Sequence, residues 1–155
     1  MGASTLGGVR EIASSSLSPG YRLQDGAPHP TDYLQLRVRS GLSPKTEEQA
    51  RAAVFGSWAA CHVVHEAEGR CVAMGRVIGD GGWYFHIVDM AVLPEHQRRG
   101  LGSAVLVYLL EEIRDRAPRG AYVSLFADPP GRQLYMRSGF VESAPGSVGM
   151  VLTLD

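Results

Sequence analysis

One stretch in the second half of the chain decides the fold: Val92-Leu93-Pro94-Glu95-His96-Gln97-Arg98-Arg99-Gly100-Leu101-Gly102-Ser103. It joins the end of an apolar, strand-like run to the beginning of a strongly apolar helix. Its two glycines let the backbone approach a ligand closely, and its two arginines supply local positive charge. Because the first amides of a helix are unpaired and carry a partial positive charge, this junction predicts a phosphate site.

The periodicity on either side of this stretch predicts a mixed α/β (α+β) domain. Before it, strand-like runs joined by turns indicate an antiparallel meander, and after it a helix leads into a parallel crossover. We therefore expect a mixed, mostly antiparallel sheet of six to seven strands flanked by about four helices. The predicted helices are one capped by Thr31 or Asp32 and ending before Gly41, one beginning with the capping-box-like residues Thr46 and Gln49, and two over residues 103–116 and 132–138. The predicted strands cover residues 21–24, 58–65, 71–78, 83–93, 122–127, 140–143 and 148–154.

The bulk composition is that of an ordinary domain with one core. Of the 155 residues 45% are apolar, and the formal net charge is -1. Because duplex nucleic acid and anionic membranes attract dense positive charge, this balance argues against both as partners. No apolar run reaches the ~18 residues of a membrane span and no secretory signal is recognisable, so we expect a cytoplasmic protein.

Several segments carry no assigned chemistry. Residues 1–20, rich in Gly and Ser, are predicted to be a disordered leader before a domain over residues 21–155. Cys61 and Cys71 lack a CxxC spacing and are expected to be free thiols. No metal site is predicted, because the remaining histidines show no ligand spacing in the sequence: His29, His62, His65 and His96.

Two common phosphate-binding motifs do not match the stretch at residues 92–103. A nucleoside-triphosphate loop ends in Gly-Lys-Ser/Thr, and this lysine is missing. A dinucleotide fingerprint has a third glycine at the position that Val105 occupies. The glycines alone therefore do not identify the ligand.

The wider sequence resembles the GNAT superfamily of N-acetyltransferases. The match is carried by Ala91-Val92-Leu93-Pro94, by the Gln-x-x-Gly-x-Gly pattern from Gln97 to Gly102, and by Leu134-Tyr135-Met136-Arg137-Ser138-Gly139-Phe140. The resemblance implies acetyl-CoA as cofactor, bound where the strand before the loop diverges from its parallel neighbour. It assigns the pantetheine arm to backbone groups of Met90, Ala91 and Val92, with the Met90 N–H directed at the acetyl carbonyl. It assigns the pyrophosphate to Gln97, Arg98, Arg99, Gly100, Leu101, Gly102 and Ser103.

The resemblance also implies two catalytic side chains. Tyr135 matches the tyrosine that protonates the departing thiolate, and Gly131 stands where a small residue approaches the cofactor. Asp128 replaces an asparagine that many relatives use to contact it. His86 stands where relatives often carry a base, and histidine titrates in the range needed to deprotonate an ammonium. Asp89 is the competing base, although we expect a buried carboxylate that accepts from backbone donors.

The acceptor is expected to be a primary amine of a small molecule, attacked directly in a ternary complex. We expect the first two helices, the turn at residues 79–85 and the loop at residues 128–132 to form its site. Trp83, Tyr84 and Phe85 offer aromatic surface, and an acid at 80, 89 or 128 could attract an ammonium. The alternatives are a protein or peptide acetyltransferase, acting on lysine or an N-terminus, and a non-catalytic acyl-CoA-binding module. For the oligomeric state, both a monomer and a homodimer are compatible with the sequence.

Overall fold

Five strands form one sheet in the computed structural model, which describes residues 17–154. Their spatial order is the order of the sequence; the first four are antiparallel and the last pair is parallel. The strands are β1 (Tyr21–Asp25), β2 (Ala59–His65), β3 (Arg70–Gly79), β4 (Tyr84–Val92) and β5 (Tyr122–Leu125). The predicted mixed, mostly antiparallel fold is confirmed, but with five strands in the described residues in place of six or seven.

Four helices accompany the sheet: α1 (Pro30–Arg39), α2 (Glu47–Phe55), α3 (Leu101–Arg116) and α4 (Arg132–Arg137). The predicted capping box of α2 is present, since the Thr46 hydroxyl accepts from the Gln49 amide at 3.1 Å and the Gln49 side chain accepts from the Thr46 amide at 3.0 Å. The cap of α1 lies slightly earlier than predicted, at His29. Among the described residues, no helix is long and apolar enough to cross a membrane.

Helix α3 forms the centre of the core because it packs across β2, β3 and β4. Its apolar side chains recur at helical spacing, and those of Val105, Leu106 and Leu109 are fully buried. Each contributes roughly 1.5–3 kcal/mol through burial. Gly75 of β3 permits this packing, because a Cβ there would lie 2.6 Å from Val105 Cγ1 and 2.9 Å from Leu109 Cδ1.

The two C-terminal strands that the sequence predicts, at residues 140–143 and 148–154, are not formed. Within residues 17–154, neither segment has a ladder partner, and the apolar side chains of the second one are exposed. An apolar pattern makes a segment able to pair, but a strand also requires a hydrogen-bonded neighbour. The pattern alone therefore overestimated the strand count.

The described part of the predicted leader contacts the domain. Residues 1–16 lie outside the described residues. Leu17 packs on the core, the Ser18 hydroxyl donates to the Arg99 carbonyl at 3.1 Å, and the Gly20 carbonyl accepts from the Glu66 amide at 2.9 Å. The segment thereby contacts the loop that the sequence predicts to bind phosphate.

Candidate active site

A gap opens between the parallel strands β4 and β5. Their pairing runs from Tyr84–Tyr122 to Ile87–Leu125, where β5 ends. Strand β4 continues to Val92 and keeps its pairing with β3 on the other side. Residues 88–92 therefore have no strand partner on the β5 side among the described residues. This edge includes Met90, Ala91 and Val92, the residues predicted to bind a pantetheine arm through the backbone.

A β-bulge bends β4 beside this gap. Asp89 and Met90 together oppose the single residue Gly75 of β3, and Asp89 has a φ of 57°. Such a bulge reorients the strand and breaks the alternation of side chains. The side chains of Met90 and His86 are therefore not related by simple alternation along the strand. Gly75 leaves room for Met90, since a Cβ there would lie 2.7 Å from Met90 Sδ.

The loop at residues 97–103 presents backbone amides at the start of α3. Arg98 and Gly100 have φ angles of 63° and 79°, and Gly100 caps the helix without a side-chain bond. The first intrahelical bond of α3 runs from the Ala104 amide to the Gly100 carbonyl, at 3.0 Å. Within residues 17–154, the amides of residues 98–103 have no backbone acceptor. Their partial positive charge suits a pyrophosphate.

The surroundings of this loop match an anion site. Arg98 and Arg99 are exposed and add two positive charges. The Gln97 side chain donates to the Val92 carbonyl at 3.2 Å, which ties the loop to the end of β4. These charges and amides would suit the phosphates of the coenzyme A that the family resemblance implies.

Helix α4 places Tyr135 close to the same loop. A Cβ at Gly102 would lie 3.8 Å from Val92 Cγ2 and 3.6 Å from Leu134 Cδ2, so the loop, β4 and α4 meet there. The Tyr135 ring lies over Gly131, where a Cβ would be 3.0 Å from Cε2 and 3.5 Å from Oη. The small residue at 131 thus leaves space beside the phenol.

The ionisation of Tyr135 suits a proton donor. Burial, and to a lesser degree the charge of Asp128, raises the pKa of this phenol above its ordinary value of 10.0. The side chain therefore carries its proton throughout the neutral range. A general acid has to be protonated before it acts, so this is the state that the predicted role requires.

His86 lies at the inner end of the gap, opposite Ser124 in the β4–β5 register. Its Nδ1 is 2.7 Å from Ser124 Oγ, and the Ser124 hydroxyl donates to Tyr84 Oη at 3.3 Å. The serine oxygen can then accept from Nδ1–H, which leaves Nε2 as the basic nitrogen. Burial lowers the pKa of His86 below 6.5, so the ring is neutral at pH 7.

Asp89 is not available as a base. Its carboxylate accepts from Tyr33 Oη at 2.6 Å, from Arg37 Nη1 at 2.5 Å and from Arg76 Nε at 2.8 Å. We predicted a buried carboxylate with backbone donors; the donors are in fact side chains of α1 and β3. The sequence offered no signal for this, because Arg37 and Arg76 are far from Asp89 along the chain.

The aromatic side chains near the gap divide into core and surface. Phe85 is fully buried, with its ring centroid 4.7 Å from that of Trp58, so it does not offer surface to an acceptor. Trp83, Tyr84 and Tyr122 are exposed and form an aromatic patch, with centroid separations of 5.3 Å between the first two and 5.4 Å between the two tyrosines. Tyr122 was not predicted, because only the parallel pairing of β4 with β5 brings it to the patch.

The acids and thiols near the predicted acceptor site differ in availability. Asp80 Oδ1 accepts from the amides of residues 82, 83 and 84, which lowers its pKa and closes the turn before β4. Asp128 is exposed and carries no ion pair within residues 17–154. Cys61 and Cys71 are free and buried, and burial raises the pKa of both thiols, that of Cys71 to about 12.

Comparison with known proteins agrees with this geometry. The profile of the Acetyltransferase (GNAT) family matches residues 30–140. A protein of unknown function from meticillin-resistant Staphylococcus aureus has a similar structure, with a TM-score of 0.81 and 36% identity over 86% of this chain and 99% of that one. The chain belongs to the Acetyltransferase (GNAT) family. It is an acetyltransferase, and enzymes of this family use acetyl-CoA.

Two curated relatives match a shorter part of their own length. GCN5-related N-acetyltransferase 1 of Arabidopsis thaliana, a chloroplastic protein, is 35% identical over 89 residues, which cover 57% of this chain and 44% of the relative. Serotonin N-acetyltransferase 2 of rice, also chloroplastic, is 31% identical over 119 residues, which cover 75% of this chain and 58% of the relative. The chain spans about half the length of these curated relatives.

Proposed function

We propose that this acetyltransferase transfers the acetyl group of acetyl-CoA to the primary amine of a small aromatic molecule, by direct attack in a ternary complex. One observation carries the proposal. The neutral, half-buried His86 is hydrogen-bonded to Ser124 beside the gap between β4 and β5. A base is thereby held where an amine can meet a thioester that lies in the gap.

The residues around the gap suit acetyl-CoA. The amides of residues 98–103, together with Arg98 and Arg99, would hold the pyrophosphate. The unpaired edge of β4 would bind the pantetheine arm, and the Met90 N–H would polarise the acetyl carbonyl. A fixed donor of this kind contributes about 3–4 kcal/mol to the transition state.

Proton transfers are assigned to two side chains. An amine acceptor is mainly an ammonium at neutral pH, so His86 first accepts its proton on Nε2. The amine then attacks the thioester carbonyl, and the C–N bond forms as the C–S bond breaks and Tyr135 donates its phenolic proton to the departing sulfur. The new amide nitrogen loses its second proton to solvent, from which the Tyr135 phenolate is reprotonated. Each transfer by a positioned group contributes about 10²–10⁴-fold in rate. The buried, protonated Cys61 and Cys71 leave no thiolate for an acetyl-cysteine step.

The aromatic patch supports an aromatic acceptor. Tyr84 of the patch accepts from Ser124, which in turn contacts His86, so the patch and the base are joined by hydrogen bonds. Exposed aromatic rings bind other rings and cations through their faces. The rice relative, whose name specifies serotonin, supports the same chemical class. We assign Asp128 as the carboxylate that attracts the ammonium group of the acceptor. Asp80 and Asp89 already accept hydrogen bonds from other groups of the protein.

The test has two stages. Coenzyme A and acetyl-CoA are expected to raise the melting temperature in a concentration-dependent way, because a ligand of the native state stabilises it. Release of free thiol is then measured with 2-phenylethylamine and tryptamine, with the aliphatic diamine putrescine, and with a pool of lysine-containing and N-terminally free peptides.

We expect the highest turnover with the two aromatic amines. Trp83→Ala is expected to raise their KM, whereas Phe55→Ala, which removes an even more exposed ring from α2, leaves it unchanged. Turnover of the peptides without turnover of the small amines would identify the enzyme as a protein acetyltransferase. Cofactor binding without any turnover would assign a non-catalytic acyl-CoA-binding module.

A further inference from the structure

Three side chains from separate segments meet just before the loop at residues 97–103. His65 ends β2, Glu68 lies in the turn to β3, and His96 ends a short 3-10 turn at Pro94–His96. Their ligand atoms all lie within 4.8 Å of one another. We name these three residues the His–Glu–His cluster. It lies outside the gap between β4 and β5 and has no part in the proposed acetyl transfer.

Two ring nitrogens of the cluster are buried without a hydrogen bond. His96 is only 4% exposed, and its Nε2 has no partner within residues 17–154; the same holds for Nδ1 of His65. A buried polar atom left unpaired costs about 1–3 kcal/mol. Both nitrogens face the Glu68 carboxylate at 3.4 Å, which is longer than an ordinary N–H···O bond of about 2.7–3.2 Å.

The two histidine–glutamate separations are close to those of neighbouring ligands around one metal ion. In a tetrahedral site with metal–ligand bonds of about 2.0–2.1 Å, neighbouring ligand atoms lie about 3.4 Å apart. His65 Nδ1 lies 3.4 Å from Glu68 Oε1, and His96 Nε2 lies 3.4 Å from Glu68 Oε2. An ion between the three residues would satisfy both unpaired nitrogens at once.

The contacts around the cluster orient its ligands. Tyr21 Oη lies 2.8 Å from His96 Nδ1, so with Nε2 bound to a metal the ring would donate from Nδ1–H to the tyrosine oxygen. Arg70 Nε donates to Glu68 Oε2 at 2.6 Å, which holds the carboxylate that faces both histidines. The charge of Arg70 is also shared with Glu95, at 2.6 Å, so it is not directed at the cluster alone.

We propose that the His–Glu–His cluster binds one divalent transition-metal ion of the zinc class through His65 Nδ1, His96 Nε2 and the Glu68 carboxylate. Two imidazoles and one carboxylate are typical ligands for Zn²⁺, whereas Ca²⁺ and Mg²⁺ bind mainly to oxygen. Water takes the fourth position, because Glu68 is 41% exposed on its side chain and leaves one side of the cluster open to solvent.

The metal has a structural role in this proposal. It joins the turn between β2 and β3 to His96, the residue directly before the pyrophosphate loop. The loop would then be held directly before its first residue by the metal and at Arg99 by the Ser18 hydroxyl. Because the cluster lies outside the gap between β4 and β5, the ion takes no part in acetyl transfer.

The experiment measures metal in the full chain purified without a polyhistidine tag. The protein is dialysed against micromolar ZnCl₂ and then against metal-free buffer, and zinc is determined by mass spectrometry. We expect about one zinc per chain and a higher melting temperature with zinc than after chelation. Substitution with Co²⁺ is expected to produce the visible absorption of a four-coordinate site.

Variants separate this site from adventitious binding. Glu68→Gln changes an exposed side chain, so the fold is preserved, and we expect a loss of zinc affinity of at least roughly 10–100-fold. Tyr21→Phe, which removes only the positioning hydroxyl, is expected to weaken zinc by roughly 10–100-fold. His62→Gln is the matched control, because His62 lies in the same strand and its Nδ1 contacts the Gly26 carbonyl at 2.7 Å.

Either of two results would overturn the proposal. The first is that the wild type and Glu68→Gln retain the same amount of zinc. The second is that zinc leaves the melting temperature of the wild type unchanged. Both readouts are taken without acetyl-CoA or amine, so a failure here is independent of the proposed transferase activity.

Discussion

His86 Nδ1 lies 2.7 Å from Ser124 Oγ, across the parallel pair of strands and one register step before the strands part. This bond connects the side chains of β4 and β5 close to the end of their pairing. It also fixes the ring orientation of the residue to which we assign the base. The chemistry therefore depends on the register between the two strands.

Replacement of His86 tests the base directly. His86→Gln is expected to lower kcat/KM by about 10²–10⁴-fold, since the ammonium then loses its proton acceptor. In the wild type, burial lowers the pKa of His86 below 6.5, so activity is expected to fall only as the pH drops below that value. The pH profile of the variant is expected to lack this acidic limb. His62→Gln, which replaces a histidine of β2 outside the gap, is the control. Full turnover of His86→Gln across the neutral range would contradict the assignment of His86 as the base.

Ser124→Ala tests the orientation of the base. One neutral hydrogen bond contributes about 0.5–1.5 kcal/mol, so we expect kcat to fall by roughly two- to tenfold with little change in the KM for acetyl-CoA. The acidic limb of the pH profile is expected to remain, because His86 is still present. A loss as large as that of His86→Gln would mean that the serine itself transfers the proton.

Tyr135→Phe tests the proton donor. We expect kcat to fall by about 10²-fold or more while acetyl-CoA binds as before, because only the phenolic hydroxyl is lost. Since burial raises the pKa of Tyr135 above 10.0, the wild type is expected to show no alkaline loss of activity from this group below that pH. Tyr122→Phe, which removes an exposed hydroxyl and keeps the ring, is the matched control and should retain its kcat.

Gly100→Ala tests the loop conformation. Gly100 has a φ of 79°, which costs a residue with a side chain about 1–2 kcal/mol. Gly41→Ala is matched, because Gly41 has a φ of 88° and equally open surroundings but follows α1. Both variants are expected to lose similar stability in urea, and only Gly100→Ala is expected to bind acetyl-CoA more weakly by calorimetry. Equal cofactor affinity in the two variants would contradict the role of the loop.

Asp89→Asn tests the buried ion pairs. The change leaves the charges of Arg37 and Arg76, both 7% exposed, without their counter-ion. We expect the free energy of unfolding to fall by about 3–5 kcal/mol in urea titrations. Asp115→Asn, at an exposed position of α3, is the control and should change stability by less than about 0.5 kcal/mol. A small effect of Asp89→Asn on the free energy of unfolding would mean that water stabilises the charges of the two arginines in place of the carboxylate.

Local chemistry was predictable where neighbours along the chain make the contacts. The capping box between Thr46 and Gln49 spans a single turn, and its residue types specify it. The loop before α3 was predictable for the same reason, since Gly100 supplies the positive φ at the position where the helix begins. The apolar periodicity of β2 to β4 and α3 likewise placed these elements close to their observed bounds.

Contacts between distant segments were not predictable in this way. The donors to Asp89 come from α1 and β3, and the predicted backbone donors were wrong because residue types do not encode such partners. The two C-terminal strands failed similarly, because an apolar pattern does not supply the neighbouring edge. Tyr122 joins the aromatic patch only through the register of β4 and β5.

The amino-acid sequence by itself determined the four helices, the first five strands, the glycine-capped start of α3 and the family, because each of these depends on residues within a few positions of one another. The tertiary structure alone decided where β4 and β5 part, how the bulge at Asp89 directs its carboxylate, and which histidines meet. His65 and His96 are separated by strands β3 and β4, and only the packing of the turn after β2 against the turn after β4 places both beside Glu68. The physical reason is that long-range side-chain contacts follow from sheet register and packing, which no local pattern contains.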